Sequence, residues 1–544
     1  MKCSRLLLIG CRRRRLNILT LVSLQLFTSS VCKAFDISSL QPLQYHSHHR
    51  KTGGDNRYSH QRYARYDLRQ ARYGVRLRSS IIDDTSSTTT QRIEEDTSQR
   101  GLLSLTLQEL SNKLDGSGRA AVVWDCLRSG IDPNLYYNNN NQDDMDNHST
   151  VAVDDIPIIE AWLDATSSSI KLDDALSRMS SQDDEHSILG RRQGQGLGAA
   201  SWKRLQKLMH NNNGEEVHDE AIYTIENTIA SLSHMKVSPD GTTKLLLKMN
   251  KDGLEVESVI IPWVDKGFST LCVSSQVGCR QGCTFCATGR MGKLRSLTAD
   301  EIIVQVYYAS KVCRVVDSLI KTSGVQTNNN QQCLLPKVDN IVFMGMGEPA
   351  DNAAAVVTVA NTLADRRMFG LAQSKITIST VAPDPLAFTT LGQAPAVLAW
   401  SVHAVDDKLR RSVVPTTKNT MDELRTGLVQ ALSSRSNKLR RTMLEVALIE
   451  NVNDSDDDAQ RLAVFAQSIM NDVARSKVVV NVIPYNAIDH PTYKTPSMES
   501  VLRFQKIITD EDILCYIRTT RGDEESAACG QLATSKKKKK KETR

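Results

Sequence analysis

Beyond its first 32 residues, the sequence has no apolar run long enough to span a bilayer. It also has one group of three closely spaced cysteines without a fourth cysteine beside them. Of the 12 cysteines in 544 residues, three lie within residues 1–32 and nine follow. Their clustered spacing does not suit a disulfide framework and favours metal chemistry in a reducing compartment. Aromatic content is low, at 5%, but 40% hydrophobic residues are enough for a sizeable core, and the length allows more than one domain.

The amino terminus has the composition of a targeting segment. A basic stretch, MKCSRLLLIGCRRRR, precedes the apolar LNILTLVSLQLF, which is too short to span a bilayer comfortably. Residues 35–80 then contain nine Lys or Arg, four His and three acids, a composition that does not fold alone. A signal-like segment (1–34) before a basic transit segment and linker (35–98) resembles the bipartite plastid presequences of algae with secondary plastids. A secretory signal before a linker, or a mitochondrial presequence, is the alternative.

Residues 99–214 have the spacing of short helices. Apolar residues recur at helical intervals in 102–129, with a glycine break, and again in 157–180 and 199–209. We therefore predict a small helical domain that carries asparagine-rich loop insertions. At the other end of the chain, the lysine-rich residues 536–544 are predicted to form a solvated tail.

Between residues 215 and 535, strand-length apolar runs alternate with amphipathic helical stretches. The predicted strands are 269–275, 338–344, 375–380, 396–402, 442–449 and 478–484. A helix is predicted at 298–316, with Thr298 as its N-cap. This alternation predicts an α/β fold with a parallel sheet, either doubly wound or a full or partial barrel. In a barrel, functional groups gather at the carboxyl ends of the strands, where Glu348, Ser379, His403 and Asn486 fall.

The stretch VGCRQGCTFCATG places Cys279, Cys283 and Cys286 at C-x3-C-x2-C spacing, directly after a predicted strand. Its glycines allow a loop to bring the thiolates together. A closed zinc site usually needs four ligands, whereas three thiolates suit a [4Fe–4S] cluster with one iron left open. A zinc site completed by a distant histidine, or simply buried thiols, is the alternative.

The cysteine spacing resembles the signature of radical S-adenosylmethionine enzymes, in which that cofactor binds the open iron. FMGMGEP (343–349) follows an apolar strand and resembles the cofactor-binding motif of the same superfamily, with Glu348 placed to bind an ammonium group. The resemblance implies a partial (β/α)6-type radical S-adenosylmethionine barrel behind a small amino-terminal helical domain. It also implies cofactor contacts from Gly347, Glu348, Ser379, Ser401, Val402, His403 and Asn486.

Six stretches in order resemble the RlmN/Cfr family of RNA adenine methyltransferases: TLCVSSQVGC, MGMGEP, SVHAVDDKLRRSVVP, ENVND, VIPYN and RTTRGDEESAACGQLA. The match runs from about Glu255 to Ala533, and more weakly from residue 100. It implies methylation of C2 of adenosine in 23S-type ribosomal RNA, with transfer RNA as a second candidate substrate. One departure is ATGRMG after the cluster cysteines, where the family more often has Ser-Thr-Gly-Lys-Gln-Gly.

The family resemblance also assigns catalytic roles. Adenine C2 is an electron-poor carbon without a lone pair, so it cannot attack a sulfonium methyl group. By resemblance, Cys529 is methylated first, and a second S-adenosylmethionine yields the 5′-deoxyadenosyl radical that activates this methyl group for addition to adenine. Cys272 matches the cysteine that resolves the protein–RNA adduct by forming a disulfide with Cys529. Glu257 matches the proton acceptor, and a solvent-facing strand carboxylate is the alternative reading.

The partners and location are expectations of the same kind. We expect ribosomal RNA, an electron donor of the ferredoxin or flavodoxin type, a monomer without a membrane anchor, and a plastid form from an alga, with mitochondrion or cytoplasm as alternatives. Candidate phosphate contacts, or simply solvated helix residues, are Arg410, Arg411, Arg440, Arg441, Arg518 and Arg521.

Three alternative functions stay open or are disfavoured by the sequence. Methylation at C8 is left open, because the motifs do not separate it from C2. A radical methylthiotransferase is disfavoured, because only Cys126 lies between residues 33 and 271 and a second cysteine triplet is therefore absent. A cluster-bearing RNA-binding or assembly protein without turnover is the rival from another class.

Overall fold

The computed structural model describes residues 100–136, 155–166, 170–180, 197–210, 222–323, 335–488, 492–518, 521–522 and 530–532. By its internal contacts the chain divides into Met1–Arg78 and Ser79–Arg544, and every described residue belongs to the second unit. The predicted targeting segments 1–34 and 35–98, the tail 536–544 and Cys529 lie outside the described residues. The predicted domain boundary at residues 214 and 215 stays a prediction.

The described α-helices are, in chain order, α1 (Leu107–Leu114), α2 (Ser117–Arg128), α3 (Ile156–Ala165), α4 (Leu172–Ser180), α5 (Ala199–His210), α6 (Ile225–Thr228), α7 (Ala287–Arg290), α8 (Ala299–Ser323), α9 (Ala353–Ala364), α10 (Leu386–Leu391), α11 (Asp407–Val413), α12 (Met421–Ser434), α13 (Asp456–Asp472) and α14 (Met498–Asp510). The helices predicted from apolar spacing in 102–129, 157–180 and 199–209 are confirmed as α1 to α5. In the part of the chain that the structure describes, no helix has the length and apolarity to cross a bilayer.

The described strands are β1 (Ala230–Val237), β2 (Thr243–Met249), β3 (Glu255–Trp263), β4 (Phe268–Cys272), β5 (Gln276–Cys279), β6 (Gly292–Ser296), β7 (Val338–Phe343), β8 (Ile376–Thr380), β9 (Val397–Ser401), β10 (Arg441–Leu448), β11 (Lys477–Pro484) and β12 (Leu514–Ile517). All six strands predicted from apolar runs are confirmed, as β4 and β7 to β11. The prediction missed β1 to β3, the β5–β6 hairpin and β12. The turn at Asp252-Gly253, where Gly253 has φ of 68°, was an available hairpin signal between β2 and β3.

Ten strands form one sheet in the order β1-β2-β3-β4-β7-β8-β9-β10-β11-β12, and β5 pairs with β6 in a separate hairpin. From β4 onward each strand of the large sheet pairs parallel with the next strand of that sheet along the chain, and helices supply the crossovers. A doubly wound sheet reverses its strand order at a switch point, and here no reversal occurs. The winding is therefore that of a partial α/β barrel, as predicted, with a three-stranded antiparallel extension formed by β1, β2 and β3.

The strand registers show which side chains share the inner face of the barrel. Cα partners in adjacent strands point to the same side, and so do residues two apart on one strand. Val259 pairs with Cys272, which pairs with Val342, and the same face continues through Thr377 to Ser379. Ser379 pairs with Ala399, and Ser401 pairs with Glu445. Glu257, Cys272, Ser379, Ser401 and Glu445 therefore all face the barrel interior.

Helix α8 joins the helical residues 100–210 to the barrel. It begins where predicted, since the Thr298 hydroxyl accepts from the Glu301 N–H at 3.2 Å and the Glu301 carboxylate accepts from the Thr298 N–H at 2.8 Å. In its first turn the buried Asp300 carboxylate accepts hydrogen bonds from the backbone N–H groups of Gly101, Leu103 and Ser104, at 2.7 to 3.3 Å, and from the Ser104 hydroxyl at 2.6 Å. Burial raises the pKa of Asp300, although these bonds lower it.

Replacing Asp300 with alanine is expected to destabilise the protein by about 3 kcal/mol, because it leaves several buried donors without an acceptor. The matched control is Asp317→Ala on the same helix, where an exposed carboxylate pairs with Lys321 at 2.6 Å. Its loss is expected to cost at most about 0.5 kcal/mol. Thermal unfolding of the two variants checks this. Equal melting temperatures for both would contradict the role of Asp300 in joining the helical residues to the barrel.

Candidate active site at the carboxyl ends of the parallel strands

An open cavity lies at the carboxyl ends of the parallel strands, with about 1020 Å³ of empty space, part of which is open to solvent. All three clustered cysteines line it, together with most of the predicted cofactor contacts: Gly347, Glu348, Ser379, Ser401, His403 and Asn486. Val402 does not line the cavity. Its side chain is buried, and its backbone carbonyl accepts from Arg410.

The loop that carries the cysteines is held by close backbone packing. Cys279 ends β5, and the Cys286 N–H donates to the Cys283 carbonyl at 3.1 Å, which folds the two into one turn. A Cβ atom at Gly289 would lie 2.9 Å from the Cys283 nitrogen, so this glycine lets α7 pack against the turn. The loop is also fixed to α11, because the Thr284 N–H donates to the Val413 carbonyl at 3.0 Å.

The three thiols act on one another's charge, and Cys279 and Cys283 are buried while Cys286 is half-buried. Burial raises the pKa of Cys279 to about 12, and it also raises the pKa values of Cys283 and Cys286. The charge of Cys286 further raises the pKa of the other two. Thiolates here are therefore stabilised only when a bound cation replaces the lost hydration.

The donor set fits a cubane cluster better than a single metal ion. Among the described residues, no group of three or more His, Cys, Asp or Glu side chains is arranged to hold one metal ion. A [4Fe–4S] cluster makes a different demand, because each cysteine binds a separate iron, and the thiols need not converge on one point. Three thiols on one cavity wall, beside space for a further ligand, meet that demand.

Glu348 is the buried acid of the cavity, with 3% of its surface exposed. Its carboxylate accepts from the Ala350 and Val381 N–H groups, each at 2.9 Å, and from the Thr380 hydroxyl. Burial raises the pKa of Glu348 to about 7, although these hydrogen bonds lower it. The carboxylate is therefore fixed in place but only half ionised near neutral pH.

Gly347 is required for the position of Glu348. Its φ of 106° lies in the region that favours glycine, and a Cβ atom there would lie 2.8 Å from the Gln276 nitrogen. The Gln276 side chain in turn accepts from the Glu348 N–H at 3.0 Å. A close approach of β5 to the chain after β7 thus sets where the carboxylate lies.

A second acid, Glu445, was missed by the sequence reading. It is 3% exposed, faces the cavity from β10, and accepts from the Ser379 hydroxyl at 2.8 Å. The Ser379 and Ser401 hydroxyl oxygens lie 3.1 Å apart, and Arg518 lies 3.5 Å from the other Glu445 oxygen. The available signal was a carboxylate inside the apolar run TMLEVALI, since a buried charge needs partners.

His403 is held as a neutral acceptor. Burial, with the nearby Arg410 charge, lowers the pKa of His403 to about 3. Its Nδ1 accepts from the Ala447 N–H at 3.1 Å, so the neutral ring carries its proton on Nε2. His403 has a positive φ of 56°, and the Asn453 amide stabilises that turn by donating to the His403 carbonyl at 2.7 Å.

The structure brings Cys272 and Glu257 onto the inner face but not into the cavity wall. Glu257 is 6% exposed and lies 3.6 Å from the Lys244 ammonium. No disulfide joins two described cysteines, and Cys529 lies outside the described residues. The predicted bond between Cys272 and Cys529, and the catalytic roles of all three residues, stay predictions.

The residues just after Cys529 are attached to the cluster loop. The Ala287 N–H donates to the Gly530 carbonyl at 2.8 Å, and the Thr288 hydroxyl donates to the Leu532 carbonyl. Ala287 directly follows the last clustered cysteine, and both Gly530 and Leu532 line the cavity. The chain therefore returns to the cluster site within one residue of Cys529.

A partial parallel barrel, with C-x3-C-x2-C on a loop after its first parallel strand and a glycine-preceded acid after the second, defines the protein as a radical S-adenosylmethionine enzyme. It is 37% identical to the dual-specificity RNA methyltransferase RlmN of Francisella tularensis subsp. mediasiatica over 56% of this chain and 76% of that protein. It is 38% identical to RlmN of Desulfotalea psychrophila, over 54% of this chain and 75% of that protein. The chain belongs to the RlmN family of RNA methyltransferases.

The comparison with solved structures includes a radical S-adenosylmethionine methyltransferase from Sphaerobacter thermophilus. It is 32% identical, with a TM-score of 0.47, and the match covers 56% of this chain and 81% of that one. No family model matches the chain.

Gly347→Ala is expected to weaken S-adenosylmethionine binding at least tenfold, because the new Cβ forces the backbone away from Gln276 and displaces Glu348. The matched control is Gly292→Ala, which also has a positive φ, of 71°, but has no atom within 4 Å of its Cβ position. Equilibrium binding of labelled cofactor to the anaerobic, reconstituted proteins measures both. If the two variants bind equally well, close packing at Gly347 does not position the acid.

Binding of S-adenosylmethionine is expected to strengthen as pH rises through the pKa of Glu348, which is about 7 in the free protein. Below that pH the carboxyl group is protonated, so the cofactor ammonium must displace a proton in order to bind. The affinity at pH 8 is expected to be about tenfold higher than at pH 6. Glu348→Gln should bind weakly and remove this dependence. Equal slopes for the wild type and Glu348→Gln would assign the pH dependence to another group.

Proposed function

We propose that the protein methylates C2 of an adenosine in 23S-type ribosomal RNA, and in transfer RNA, through a methyl group carried on Cys529. The main support for this proposal is that one cavity brings together the three clustered cysteines, Glu348 and Gly530, the residue after Cys529. The curated relatives, named as dual-specificity RNA methyltransferases, support an RNA substrate and two kinds of target.

The residues of the cavity fit the two groups that this function needs. Cys279, Cys283 and Cys286 would hold a [4Fe–4S] cluster, as the only thiols in the described cavity wall. The predicted contacts for S-adenosylmethionine are Gly347, Glu348, Ser379, Ser401, Val402, His403 and Asn486. When bound, these groups supply the methyl group and the one-electron chemistry that activates it. The protein must then orient the cofactor, exclude water and handle protons.

The protein's own side chains divide the remaining work. Glu348 is fixed by three donors and aims a carboxylate at the space beside the thiols. Glu445, held by Ser379 and Arg518, is a second acceptor of the cavity, suited to hydroxyl groups of a ligand. Neutral His403 offers an N–H donor without adding charge. Phe285, Ala447 and Tyr485 line one side of the cavity with apolar surface, which offers water few hydrogen-bond partners there.

Cys529, Glu257 and Cys272 are proposed to handle the proton on the adenine ring and the bond between protein and RNA. Cys529 is proposed to become bonded to the adenine through its methyl carbon. Glu257 is proposed to take the proton from the ring carbon, and its carboxylate lies 3.6 Å from the Lys244 ammonium. Cys272, as a thiolate, is proposed to release the RNA by forming a disulfide with Cys529 while the bond from the Cys529 sulfur to the bridging carbon breaks. That carbon takes up a proton and becomes the methyl group of the base, and the disulfide must be reduced before the next turnover.

The remaining expectations concern partners and location. An electron donor of the ferredoxin or flavodoxin type, a monomeric state and a plastid location stay predictions. The residues that bear on location, 1–98, lie outside the described part of the chain. Following a fluorescent fusion of this segment in an algal cell would test the plastid assignment, and its retention in the cytoplasm would exclude it.

Nucleoside mass spectrometry tests the proposed reaction. Unmodified ribosomal and transfer RNA are incubated anaerobically with reconstituted protein, reductant and S-adenosylmethionine. The wild type and the control Cys515→Ala, which alters a buried cysteine on β12, are expected to form 2-methyladenosine. Cys529→Ala is expected to form none. Cys272→Ala is expected to accumulate a covalent protein–RNA adduct that survives denaturation.

The other outcomes separate the rival functions. Formation of 8-methyladenosine would keep the mechanism and overturn the C2 assignment. If Cys529→Ala methylates as well as the wild type, the methyl-carrying role of Cys529 is wrong. If the wild type binds RNA and assembles a cluster but forms neither methyladenosine, the protein is a cluster-bearing RNA-binding protein rather than this enzyme.

A further inference from the structure

Arg410 is the most deeply buried cation of the described structure near the cavity, with none of its surface exposed. It lies in α11, and its Nη1 donates to the carbonyl oxygen of Ser401 at 2.8 Å and to that of Val402. Its Nη2 donates to the Val381 carbonyl. The expectation that it is a phosphate contact or a solvated helix residue is therefore wrong, because no solvent or RNA reaches it.

The charge of Arg410 has no carboxylate partner in the described part of the chain. Its bonds all go to neutral carbonyl groups, and its Nε lies buried without an acceptor. Burial lowers the pKa of Arg410 only to about 10, so it remains a cation at neutral pH. A buried cation is costly unless an anion compensates it.

The groups that can supply this anion are Cys283 and Glu348, whose charges both favour the protonated form of Arg410. The Cys283 loop rests on the same helix, since Thr284 donates to the carbonyl of Val413, and Cys283 packs in one apolar cluster with Val413. Glu348 is reached through one residue, because the Val381 N–H donates to its carboxylate while the Val381 carbonyl accepts from Arg410.

Arg435 is a second buried arginine whose role is only to brace the backbone, that is, to hold carbonyl groups in place by hydrogen bonds. Arg435 is 7% exposed and donates from Nη2 to the carbonyl oxygens of Ala394 and Ala396, at the opposite end of β9. It also has a buried nitrogen without an acceptor, and burial lowers its pKa to about 10. Arg410 lies one helical turn before Val413, which holds the Cys283 loop, whereas Arg435 binds only the chain that enters β9. The difference between the two arginines is the cysteine loop.

We propose that Arg410 is the buried counter-charge of the cluster held by Cys279, Cys283 and Cys286, and that it raises the midpoint potential of that cluster. The proposal rests on the cluster of the proposed function. Reduction adds one negative charge to a cluster whose three thiolates are already anionic. A fixed cation in low dielectric stabilises the reduced form more than the oxidised form, so the potential rises. Arg410 is thus a positioning and electrostatic residue that touches neither RNA nor adenine.

Three variants separate charge from bracing. Arg410→Gln keeps hydrogen-bond donors for the carbonyl groups but removes the charge, and Arg410→Lys keeps the charge but removes the planar fork. Arg435→Gln removes the corresponding brace at the far end of β9. Each protein is reconstituted anaerobically, and its iron and sulfide contents are measured. The midpoint potential is then read from electron paramagnetic resonance during a reductive titration, without RNA.

Arg410→Gln is expected to make reduction at least tenfold less favourable than in the wild type, which is about 59 mV for one electron. Arg410→Lys is expected to stay within tenfold of the wild type, and Arg435→Gln to leave the potential unchanged. If Arg410→Gln does not hold a cluster, the test is the midpoint potential of Arg410→Lys compared with that of the wild type. A shift of more than tenfold in that variant would assign the effect to bracing.

Two results would overturn the proposal. An unchanged potential in Arg410→Gln with a full cluster would leave Arg410 as a brace only. An unchanged potential with at least tenfold weaker S-adenosylmethionine binding would make it the counter-charge of Glu348 instead. Failure of the proposed function is distinguishable from both. A wild type that forms no methyladenosine but holds a cluster still gives the potential, which is measured without RNA, whereas a wild type that assembles no three-cysteine cluster would fail before any variant is compared.

Discussion

Parallel pairing of strands in chain order is the constraint on which the site depends. Because β4 and β7 to β12 are parallel and lie side by side in chain order, their carboxyl ends lie at one edge of the sheet. The segments that follow these strands then converge, although they come from points spread over more than 200 residues. Glu348, Ser379, Ser401 and Asn486 line one cavity for this reason, and the cysteine loop enters the same cavity after β5. Each side chain needs only to lie at the right end of its own strand.

Desolvation is the second physical theme, and it acts on several ionisable groups at the cavity. Burial raises the pKa values of the three thiols and of Glu348, and it lowers those of His403 and Arg410. The protein thus holds acids, thiols and an imidazole toward their neutral forms and keeps Arg410 as a cation. A site in this state favours ligands that carry charge of their own, because the proposed cluster and sulfonium cofactor would supply the missing partners. Low dielectric also makes each such interaction stronger than it would be in water.

Contacts from the carboxyl-terminal part of the chain complete the site. The turn after Cys286 donates to the carbonyl groups of Gly530 and Leu532, so the cluster loop and the carboxyl-terminal segment share an anchor. Arg518 reaches Glu445 from the chain after β12. The segment that carries Cys529 is therefore attached near the cavity at both of its described ends. The methyl transfer that we propose, from a cofactor to Cys529 and on to RNA, needs such proximity.

The sequence by itself determined the parts of this protein that rest on local pattern. Apolar runs predicted six of the parallel strands, helical spacing with Thr298 predicted α8, and cysteine and glycine spacing identified the loop and acid of the site, because each signal lies within a few consecutive residues. Tertiary structure alone decided which groups meet. It placed Glu445 beside Ser379, buried Arg410 where sequence reasoning expected an exposed cation, and joined Ala287 to Gly530. These contacts link residues far apart in the chain, and no local spacing encodes them. They exist only because burial of the apolar faces fixes the order and register of the strands.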